Sequence, residues 1–542
     1  MVSHILTLQA ATFFATALSL LALRFSPELL GFRSSVSLVL AIFLFHYTFL
    51  GLYSLVIYPC FLNPLRHLPG PKVTITLLGQ SIIETHKGPG KGFMDLMEQY
   101  PDNDLLLIDI FRSHVLVAKP ELLAELFVRR PYDFVKPPRS SGFLKQFLGR
   151  GLVIVEGDEH KFLRKNSLPA FSFRHIKNLY PMMWKKSITF TKRLRSEVTD
   201  DHGQGSDTPV DLNIWASKVT LDIIGVAGLG HEFNSVHNAN DPLAQAYTEL
   251  LDPSKERSIY FLMCSLFGVR FVQHLPWRLN QVFEKLRISL VDICERMMQE
   301  KRVAMEKISD DHVDILSMLM KSNNLSDTEL KDQLLTYLAA GHETTSSSLS
   351  WACYLLSKHQ DVQAALREEV QRNLTLDPSG EPLVDIASTL ERLPYLNGVI
   401  NEALRLYPTV PLTLREAIRN TSLGHYKIPK GTLIIVSSWA INRSPLIWGP
   451  DSTAFTPERW ISDGHKPNQT GGASSNYQFL TFLHGPRSCI GQGFARAELR
   501  CLLAAMITSF SWELAMPDHE VVPGGTITIK PANGMYLRVK RL

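Results

Sequence analysis

The longest runs of apolar residues lie at the amino end of the chain. Residues 5–23 and 36–57 contain no Asp, Glu, Lys or Arg, and the second run has fourteen Leu, Ile, Val or Phe residues. Each run is about as long as a helix that crosses the hydrocarbon core of a bilayer. The pattern predicts a membrane anchor over residues 1–62, built from one or both runs. A cleaved signal peptide is the alternative, although no Lys or Arg precedes the first run.

A proline-rich stretch separates these runs from the rest of the chain. Residues 63–72 read NPLRHLPGPK. Because proline fixes φ and lacks an N–H donor, a helix cannot continue smoothly through this stretch, and we expect a stiff hinge. No comparable linker follows, so residues 73–542 are predicted to form one large domain.

Beyond the hinge the pattern is mixed at first and then mainly helical. Two apolar runs within residues 105–120 flank a polar turn, which is typical of a β-hairpin. Residues 120–130 have helical periodicity with a proline at the start, and amphipathic segments dominate from 158 to 402. Short strands are expected near 432–437 and 526–539. The sequence therefore predicts a mainly α domain with minor β structure.

Composition and charge exclude some classes of protein. The chain has 542 residues, of which 56 are basic and 52 acidic. A nucleic-acid-binding protein normally carries a concentrated basic face, so we expect no nucleic-acid partner. The six cysteines are scattered without a CxxC pair, which argues against a zinc ribbon or a disulfide framework. Most are expected to be buried thiols, but Cys489 lies in a turn-rich segment, FLHGPRSCIG at 482–491.

One long helix is predicted from Ser326 to Lys358. Ser326 and Glu329 match a capping box, which fixes its start. Its apolar middle is interrupted by GHETT at 341–345. Glycine inside a helix costs about 1 kcal/mol relative to alanine, and threonine can bond back to a carbonyl one turn earlier. This combination indicates a groove that a bulky group approaches; a crossing between small residues is the alternative.

Two further patterns are weak individually. Glu402 and Arg405 in NEALRLYP are i, i+3 neighbours and can pair on one helix face. Arg459 in TPERW can join them as a third charged residue. Most such pairs contribute little to stability, so neither pattern identifies a function alone.

Together with the cysteine segment, these patterns resemble the cytochrome P450 family, the haem-thiolate monooxygenases. Residues 482–491 match FxxGxRxCxG, 402–405 match ExxR, 457–460 match PERW, and AGHETT at 340–345 matches the distal-helix motif. The resemblance covers residues 65–542, and the apolar anchor is similar to that of the microsomal, eukaryotic branch. It implies the cytochrome P450 fold, with haem b between a long distal helix and a proximal cysteine loop.

The resemblance assigns eight residues to the haem. Cys489 would be the axial thiolate ligand of the iron, since thiolate donation favours cleavage of the O–O bond. Arginine suits the propionates, because its guanidinium offers a fixed fork of donors. The other residues would pair with a propionate, shield the sulfur, or let the backbone approach it. The expected cofactor-binding residues are Cys489, Arg487, His160, Arg164, Arg415, Phe482, Gly485 and Gly491. His160 occupies the position where the family's WxxxR motif has tryptophan.

Glu343 and Thr344 match the acid–alcohol pair of the family's distal helix. The resemblance implies that Thr344 holds the oxygen and an ordered water, while Glu343 relays protons from solvent. Glu402, Arg405 and Arg459 would form a structural cluster on the proximal side of the haem.

The implied reaction is RH + O2 + NADPH + H+ giving ROH + H2O + NADP+. No glycine-rich motif for NADPH or flavin is evident, so the electrons would come from a separate NADPH–cytochrome P450 reductase, with cytochrome b5 as a possible second donor. The microsomal resemblance implies the endoplasmic reticulum membrane, with the catalytic domain in the cytosol. A reductase-independent haem-thiolate isomerase or dehydratase, and a non-catalytic haem-binding protein, are the alternatives.

The sequence also suggests where partners bind. We expect Lys161, Lys165, Arg174 and Lys177 to help dock the acidic reductase, with a solvated helix face as the alternative. By resemblance, substrate-lining segments fall at the mostly apolar stretches 137–152, 334–341, 410–414 and 526–533. They predict a lipophilic substrate such as a terpenoid, steroid, fatty acid or polyketide.

Overall fold

A computed structural model describes most of the chain beyond the amino-terminal run. The described residues are 12–13, 16–19, 21, 35–71, 88–109, 113–198, 209–238, 245–246, 249, 254–307, 314–525 and 527–542. Most of the first apolar run lies outside them. The second run forms the helix Ser35–Leu52, which continues as π-helical turns over Tyr53–Leu62. Turns occupy the expected hinge as far as residue 71, and Lys72 lies outside the described residues.

Helices make up most of the body, as the sequence predicts. Their bounds are α1 Ser35–Leu52, α2 Lys91–Gln99, α3 Pro138–Leu148, α4 Gly157–Ser167, α5 Phe173–Glu197, α6 Leu212–Ile224, α7 Lys255–Phe267, α8 Val269–Gln273, α9 Arg278–Lys307, α10 Ile315–Ser322, α11 Asp327–Lys358, α12 Gln360–Asn373, α13 Ile386–Arg392, α14 Pro394–Leu406, α15 Ser438–Ile441, α16 Pro445–Trp448 and α17 Gln492–Ser509.

In the described part of the chain, short strands form five small sheets. Their bounds are β1 Leu105–Asp109, β2 Ser113–Val117, β3 Phe134–Val135, β4 Val210–Asp211, β5 Thr413–Ala417, β6 Thr421–Leu423, β7 Tyr426–Ile428, β8 Leu433–Val436, β9 Ile461–Ser462, β10 Lys466–Pro467, β11 Phe510–Leu514, β12 Pro523–Gly524, β13 Lys530–Pro531 and β14 Tyr536–Arg541. The largest sheet has the order β1-β2-β8-β5-β3, in which only β2 and β8 pair in parallel. The hairpin expected within 105–120 is its β1–β2 edge.

Two local predictions differ from the structure. Residues 120–130 do not form one regular α-helix, because 3₁₀ turns at Pro120–Leu122 give way to π-helical turns at Glu125–Arg129. The strands expected near 526–539 lie in different sheets: β13 pairs with β12, whereas β14 pairs with β11 and β4. Because those partners satisfy the backbone of β14, β13 and β14 do not pair with each other. Thr526 lies outside the described residues.

The long helix α11 is the central element of the fold. The hydroxyl of Ser326 accepts the N–H of Glu329, and the Glu329 carboxylate accepts the N–H of Ser326, so the predicted capping box is confirmed. The helix packs against α6, α14, α17 and β13. Nearly all of its residues after His342 are buried, so α11 passes through the larger, helical hydrophobic core. A second, smaller core surrounds the five-stranded sheet.

Apolar helices of different kinds occur in the described part of the chain. One stretch there, Leu212–Leu229, is long and apolar enough to cross a bilayer, but 72% of it is buried inside the protein. Such burial is typical of a core helix. The apolar helix Ser37–Leu52 is shorter, and its Leu40, Leu44 and Phe45 are exposed.

A buried charged cluster connects α14 to the turn that follows residue 456. The two carboxylate oxygens of Glu402 accept Nε and Nη2 of Arg405 at 2.8 and 2.7 Å, and the side chains of both residues are fully buried. Arg459 Nε and Trp460 Nε1 also donate to Glu402, each at 2.9 Å. Arg405 donates further to backbone carbonyls such as Ser452 O. The structure thus brings Glu402, Arg405 and Arg459 together, with Trp460 as a partner that the sequence had not indicated.

We expect the substitution Glu402→Ala to lower the free energy of unfolding by about 3–5 kcal/mol, because it leaves two guanidinium groups without their shared buried anion. Denaturant-induced unfolding followed by circular dichroism measures the change. The control is Glu368→Ala, which removes one member of the exposed pair Glu368–Arg372 on α12 and should cost less than about 1 kcal/mol. Equal losses in the two variants would contradict the structural role of the cluster.

Candidate active site

A cavity of about 680 Å³ lies between α11 and the segment 482–491. It is lined by α11 residues Thr336, Tyr337, Ala340, Gly341, Thr344 and Thr345, and on the opposite side by Phe482, Leu483, Arg487, Ser488, Cys489, Ile490 and Gly491. Apolar side chains from α3, α6, α7 and β5 complete much of the wall, among them Leu144, Ile224, Phe261 and Leu414. All four expected substrate-lining segments contribute residues to this cavity.

The thiol of Cys489 opens into this cavity. Cys489 is exposed and forms part of the cavity wall. Its backbone N–H donates to the carbonyl of Phe482 at 2.8 Å, which folds the loop back on itself. Burial raises the pKa of the Cys489 thiol, while the Gly491 N–H and the nearby Arg164 charge oppose that rise. A bound cation would favour the thiolate, which is the metal-binding form of cysteine.

Arg164 fixes the position of the cysteine loop. It extends from α4, and its Nη1 donates to the carbonyl of Ser488 at 2.6 Å while Nη2 donates to the Ser488 hydroxyl at 3.2 Å. Arg164 therefore acts within the protein as a contact to the loop, and it also lines the cavity.

Arg487 is buried and only partly satisfied. Its Nη1 donates to the carbonyl of Phe134 at 2.7 Å, its guanidinium lies 5.0 Å from the ring centre of Tyr132, and Nη2 is in ion-pair contact with Glu156. Nε, by contrast, has no hydrogen-bond partner among the described residues. Buried donors of this kind are rare in folded proteins, which indicates that Arg487 has a further acceptor when the site is filled.

More positive charge surrounds the same edge of the cavity. Lys136 follows β3, and its Nζ lies 3.4 Å from Glu156. Burial lowers the pKa of Lys136 to about 8, with Glu156 opposing. Burial, together with the charge of Arg487, lowers the pKa of Arg415 on β5 to about 10. His160 on α4 contacts the Tyr132 hydroxyl, and burial and neighbouring cations lower its pKa to about 4, so it is neutral.

Among the described residues, the cations at this edge of the cavity outnumber the carboxylates that pair with them. Lys136, Arg164, Arg415 and Arg487 all line the cavity, and Glu156 is the carboxylate that pairs with cations at this edge. Buried charges are normally paired, so the edge has the chemistry of a site for an anionic group. Haem is a flat, largely apolar molecule with two carboxylates. Its carboxylates suit the cationic edge, its ring suits the apolar walls, and its iron suits the thiol.

The two glycines of the cysteine loop differ in their surroundings. Gly485 has φ +75°, and a Cβ there would overlap the carbonyl oxygen of Phe127, so only glycine fits. At Gly491, φ is −86° and a Cβ would meet Phe171 at an ordinary 3.9 Å. The sequence predicts that glycine at both positions lets the backbone approach closely. Contacts within the protein require glycine at Gly485 but not at Gly491. Phe482 lines the cavity beside Cys489, and the Arg496 guanidinium lies 5.3 Å from its ring centre.

The interruption in the long helix faces the cavity. The hydroxyl of Thr344 donates to the Ala340 carbonyl at 2.7 Å, as threonine does when it bonds back within a helix. Gly341 makes room for a neighbour, because a Cβ there would lie 2.9 Å from Cδ1 of Ile224 on α6. The groove expected at this point is therefore partly filled by Ile224.

Glu343 does not line the cavity, although Thr344 does. Its carboxylate is buried and lies 3.3 Å from Nζ of Lys530 on β13. Burial raises the pKa of Glu343, and Lys530 and the Thr528 hydroxyl oppose that rise. The acid and alcohol of the expected pair thus have different surroundings.

Sequence reasoning missed three charged residues of the site. Lys136, Glu156 and Lys530 belong to no motif, and each reaches its partners through contacts between distant parts of the chain. Lys136 follows β3, which pairs with the strand of Arg415. The lysine directly before a proline pair, between the apolar residues and the prolines of FVKPP, is the one local signal that could have indicated Lys136.

Comparisons with known proteins agree with this geometry. The family model described as "Cytochrome P450" matches residues 68–537. A protein named cytochrome P450 monooxygenase sphH, from Aspergillus fumigatus, is 41% identical over 495 residues, which cover 90% of each chain. Cytochrome P450 monooxygenase ptmK, from Penicillium ochrochloron, is 36% identical over 494 residues, covering 90% of this chain and 96% of its own. Cytochrome P450 monooxygenase buaD, from Petromyces alliaceus, is 36% identical over 444 residues, covering 79% and 80%.

The substitution Gly485→Ala should destabilise the protein by more than the cost of a left-handed backbone alone, which is about 1 kcal/mol, because its Cβ also overlaps a carbonyl. The matched control is Gly157→Ala, where φ is +61° but nothing lies within 4 Å of a Cβ. Thermal unfolding of the two variants gives the comparison. If Gly157→Ala proved as destabilising as Gly485→Ala, the clash at Phe127 would be contradicted.

Proposed function

The chain belongs to the cytochrome P450 family, and we propose that it inserts one oxygen atom of O2 into a lipophilic small molecule with electrons that a separate reductase takes from NADPH. It is a cytochrome P450 monooxygenase, and the family uses haem. One observation carries the proposal: the Cys489 thiol and the Thr344 side chain line the same cavity, whose other walls are largely apolar. The names of the relatives favour the monooxygenase over an isomerase or a non-catalytic haem protein.

Haem b would be held by the thiol and the cationic edge. Cys489 would ligate the iron, and Arg487, Arg415 and Lys136 would face the propionates. Arg164 would act mainly by holding the cysteine loop at Ser488, and neutral His160 would contribute a hydrogen bond. This assignment is supported by Nε of Arg487, which has no partner among the described residues, and by the excess of cations over carboxylates at this edge.

Haem with a thiolate ligand supplies the activation of O2. The chain's own contribution is to place an apolar substrate beside Thr344, to exclude bulk water and to deliver protons. The Thr344 hydroxyl, bonded to the Ala340 carbonyl, would accept a hydrogen bond from a water and hold that water in the cavity. Glu343 would relay protons from solvent to that water.

The walls of the cavity support a lipophilic substrate. Ile224, Phe261, Leu412, Ile527 and Ile529 offer hydrocarbon surface away from the cationic edge. An apolar molecule leaves water when it enters such a site. This transfer stabilises the bound state by roughly 25 cal/mol per Å² of buried apolar area. A terpenoid, steroid, fatty acid or polyketide has enough hydrocarbon surface to bind in this way, and a biosynthetic role on such a compound follows from the proposal.

A location in the endoplasmic reticulum membrane, with the catalytic domain in the cytosol, belongs to the same proposal. Leu40, Leu44 and Phe45 on α1 are 63%, 71% and 72% exposed, and adjacent large apolar side chains are unfavourable in water. A bilayer would cover them. The reductase and cytochrome b5 act at the same membrane surface, which would bring both within reach of the catalytic domain.

Cys489→Ala should abolish the carbon monoxide difference spectrum that is typical of thiolate-ligated haem, because alanine offers the iron no ligand. Absorption spectroscopy of the reduced protein measures this directly. Cys501→Ala is the matched control: Cys501 is fully buried on α17 and does not line the cavity, so its spectrum should be unchanged. A normal thiolate spectrum from Cys489→Ala would exclude Cys489 as the ligand.

The proposed docking of the reductase centres on Lys165 and Arg174. Both are exposed, and neither has a carboxylate within ion-pair distance among the described residues. Lys161 and Lys177, also expected there, are paired with Asp158 and Asp385 at 2.7 and 3.2 Å. Their charge is therefore partly neutralised within the protein.

We expect the double variant Lys165→Glu, Arg174→Glu to be reduced on the order of 10-fold more slowly at low salt, because charge at the rim of an interface acts on the rate of association. Stopped-flow measurement of haem reduction at several ionic strengths tests this. Lys427→Glu, on the exposed β6–β7 hairpin, is the control and should behave as the unmodified protein. The docking site would be wrong if the double variant were reduced at the normal rate at every salt concentration.

A further inference from the structure

A lysine outside the cavity faces the proposed proton donor. Glu343 is 5% exposed, and its Oε1 lies 3.3 Å from Nζ of Lys530. Thr344 and Thr345 line the cavity, whereas Glu343 does not. The carboxylate is therefore held beside β13 and away from the Thr344 hydroxyl, the group that it would serve.

Lys530 is the charged group that acts on Glu343 among the described residues. The other polar neighbour of the carboxylate is the hydroxyl of Thr528, which precedes β13. His342, the adjacent residue on α11, contacts the Ser217 hydroxyl on α6 at 2.8 Å. Burial and the Lys530 charge lower the pKa of His342 to about 4, so it is neutral near pH 7. Burial raises the pKa of Glu343, and Lys530 is the charged group among the described residues that opposes this rise.

The Lys530 side chain also connects the buried carboxylate to solvent. It is 21% exposed, whereas the Glu343 side chain is 7% exposed. An ammonium group at this boundary can give a proton to the carboxylate and take another from water. Lysine is suited to this exchange, because its amine gains and loses protons more readily than a guanidinium does.

The backbone around Lys530 is fixed to elements that form the cavity. The N–H of Ile529 donates to the carbonyl of Thr409 at 2.9 Å, and the carbonyl of Ile529 accepts Nε1 of Trp351 on α11 at 3.3 Å. Asn213 Nδ2 donates to the carbonyl of Pro531 at 3.0 Å. The backbone of Lys530 is therefore held beside α11 by contacts of the residues on both sides of it.

We propose that Lys530 is a positioning residue for proton delivery: it holds the Glu343 carboxylate out of the cavity and returns protons to it from solvent. The proton balance has three transfers. Glu343 gives one proton to the water at Thr344, the Lys530 ammonium gives one to the Glu343 carboxylate, and solvent gives one back to the amine. No electrons move in these transfers. The inference rests on the roles proposed for Glu343 and Thr344.

The first test measures the titration of Glu343 in the haem-loaded protein, without turnover. Infrared difference spectra between the protein and its Glu343→Gln variant isolate the Glu343 carboxyl band over a range of pH. In Lys530→Met we expect the pKa of Glu343 to rise by about 1 to 3, because an opposite charge at this range lowers a carboxyl pKa by that amount. Lys530→Arg should keep the original titration. An unchanged titration in Lys530→Met would overturn the proposal.

The second test measures proton delivery during turnover. NADPH-dependent oxygen consumption with added reductase, compared in H2O and D2O, should show about 10-fold slower turnover and a larger solvent isotope effect in Lys530→Met. Lys530→Arg should recover part of the rate. The control Lys540→Met removes an exposed lysine paired with Glu513 and should match the unmodified protein. A rate and isotope effect in Lys530→Met equal to those of Lys540→Met would contradict the relay.

The tests separate the possible failures. Lys530→Gln keeps a hydrogen-bonding side chain without charge, so it replaces Lys530→Met if that variant does not fold, and the same rise in the Glu343 pKa is expected. If the unmodified protein consumes no oxygen with the reductase, the proposed electron donor is wrong, and the infrared titration still decides the role of Lys530.

Discussion

Buried positive charge at one edge of the cavity is the constraint on which the site depends. Arg487, Arg415 and Lys136 come from three separate parts of the chain, and Glu156 is the anion that the protein supplies to them. Taking a charge out of water costs several kcal/mol unless it is paired. The fold can maintain this arrangement because helices and strands fix each cation by backbone contacts, as Phe134 and Leu414 do for the two arginines.

The cysteine loop is held by the same elements. Arg164 on α4 binds the loop at Ser488, and Gly485 lets it pass directly beside the carbonyl of Phe127. The buried Glu402 cluster fixes α14 to the turn at Arg459 and Trp460. Because these contacts are short and polar and lie largely in the protein interior, they define the position of the thiol more narrowly than apolar packing would.

Sequence patterns predicted those parts of the site that depend on neighbours along the chain. The capping box at Ser326, the helical pair Glu402–Arg405 and the β1–β2 hairpin are all local, and the structure contains each of them. The order of short motifs was enough to identify the family. Lys136, Glu156 and Lys530 could not be found in this way, because their partners are set by strand pairing and helix packing between distant segments. The orientation of Glu343 away from the cavity has the same origin.

The close contact between Gly341 and Ile224 has a consequence for how this enzyme can change over evolution. Both residues line the cavity, and a side chain at 341 would collide with the one at 224. Enlargement at position 341 therefore requires the side chain at 224 to move or to become smaller, which makes the pair an epistatic unit. Substrate preference on this side of the cavity thus depends on the two residues together rather than on either one alone.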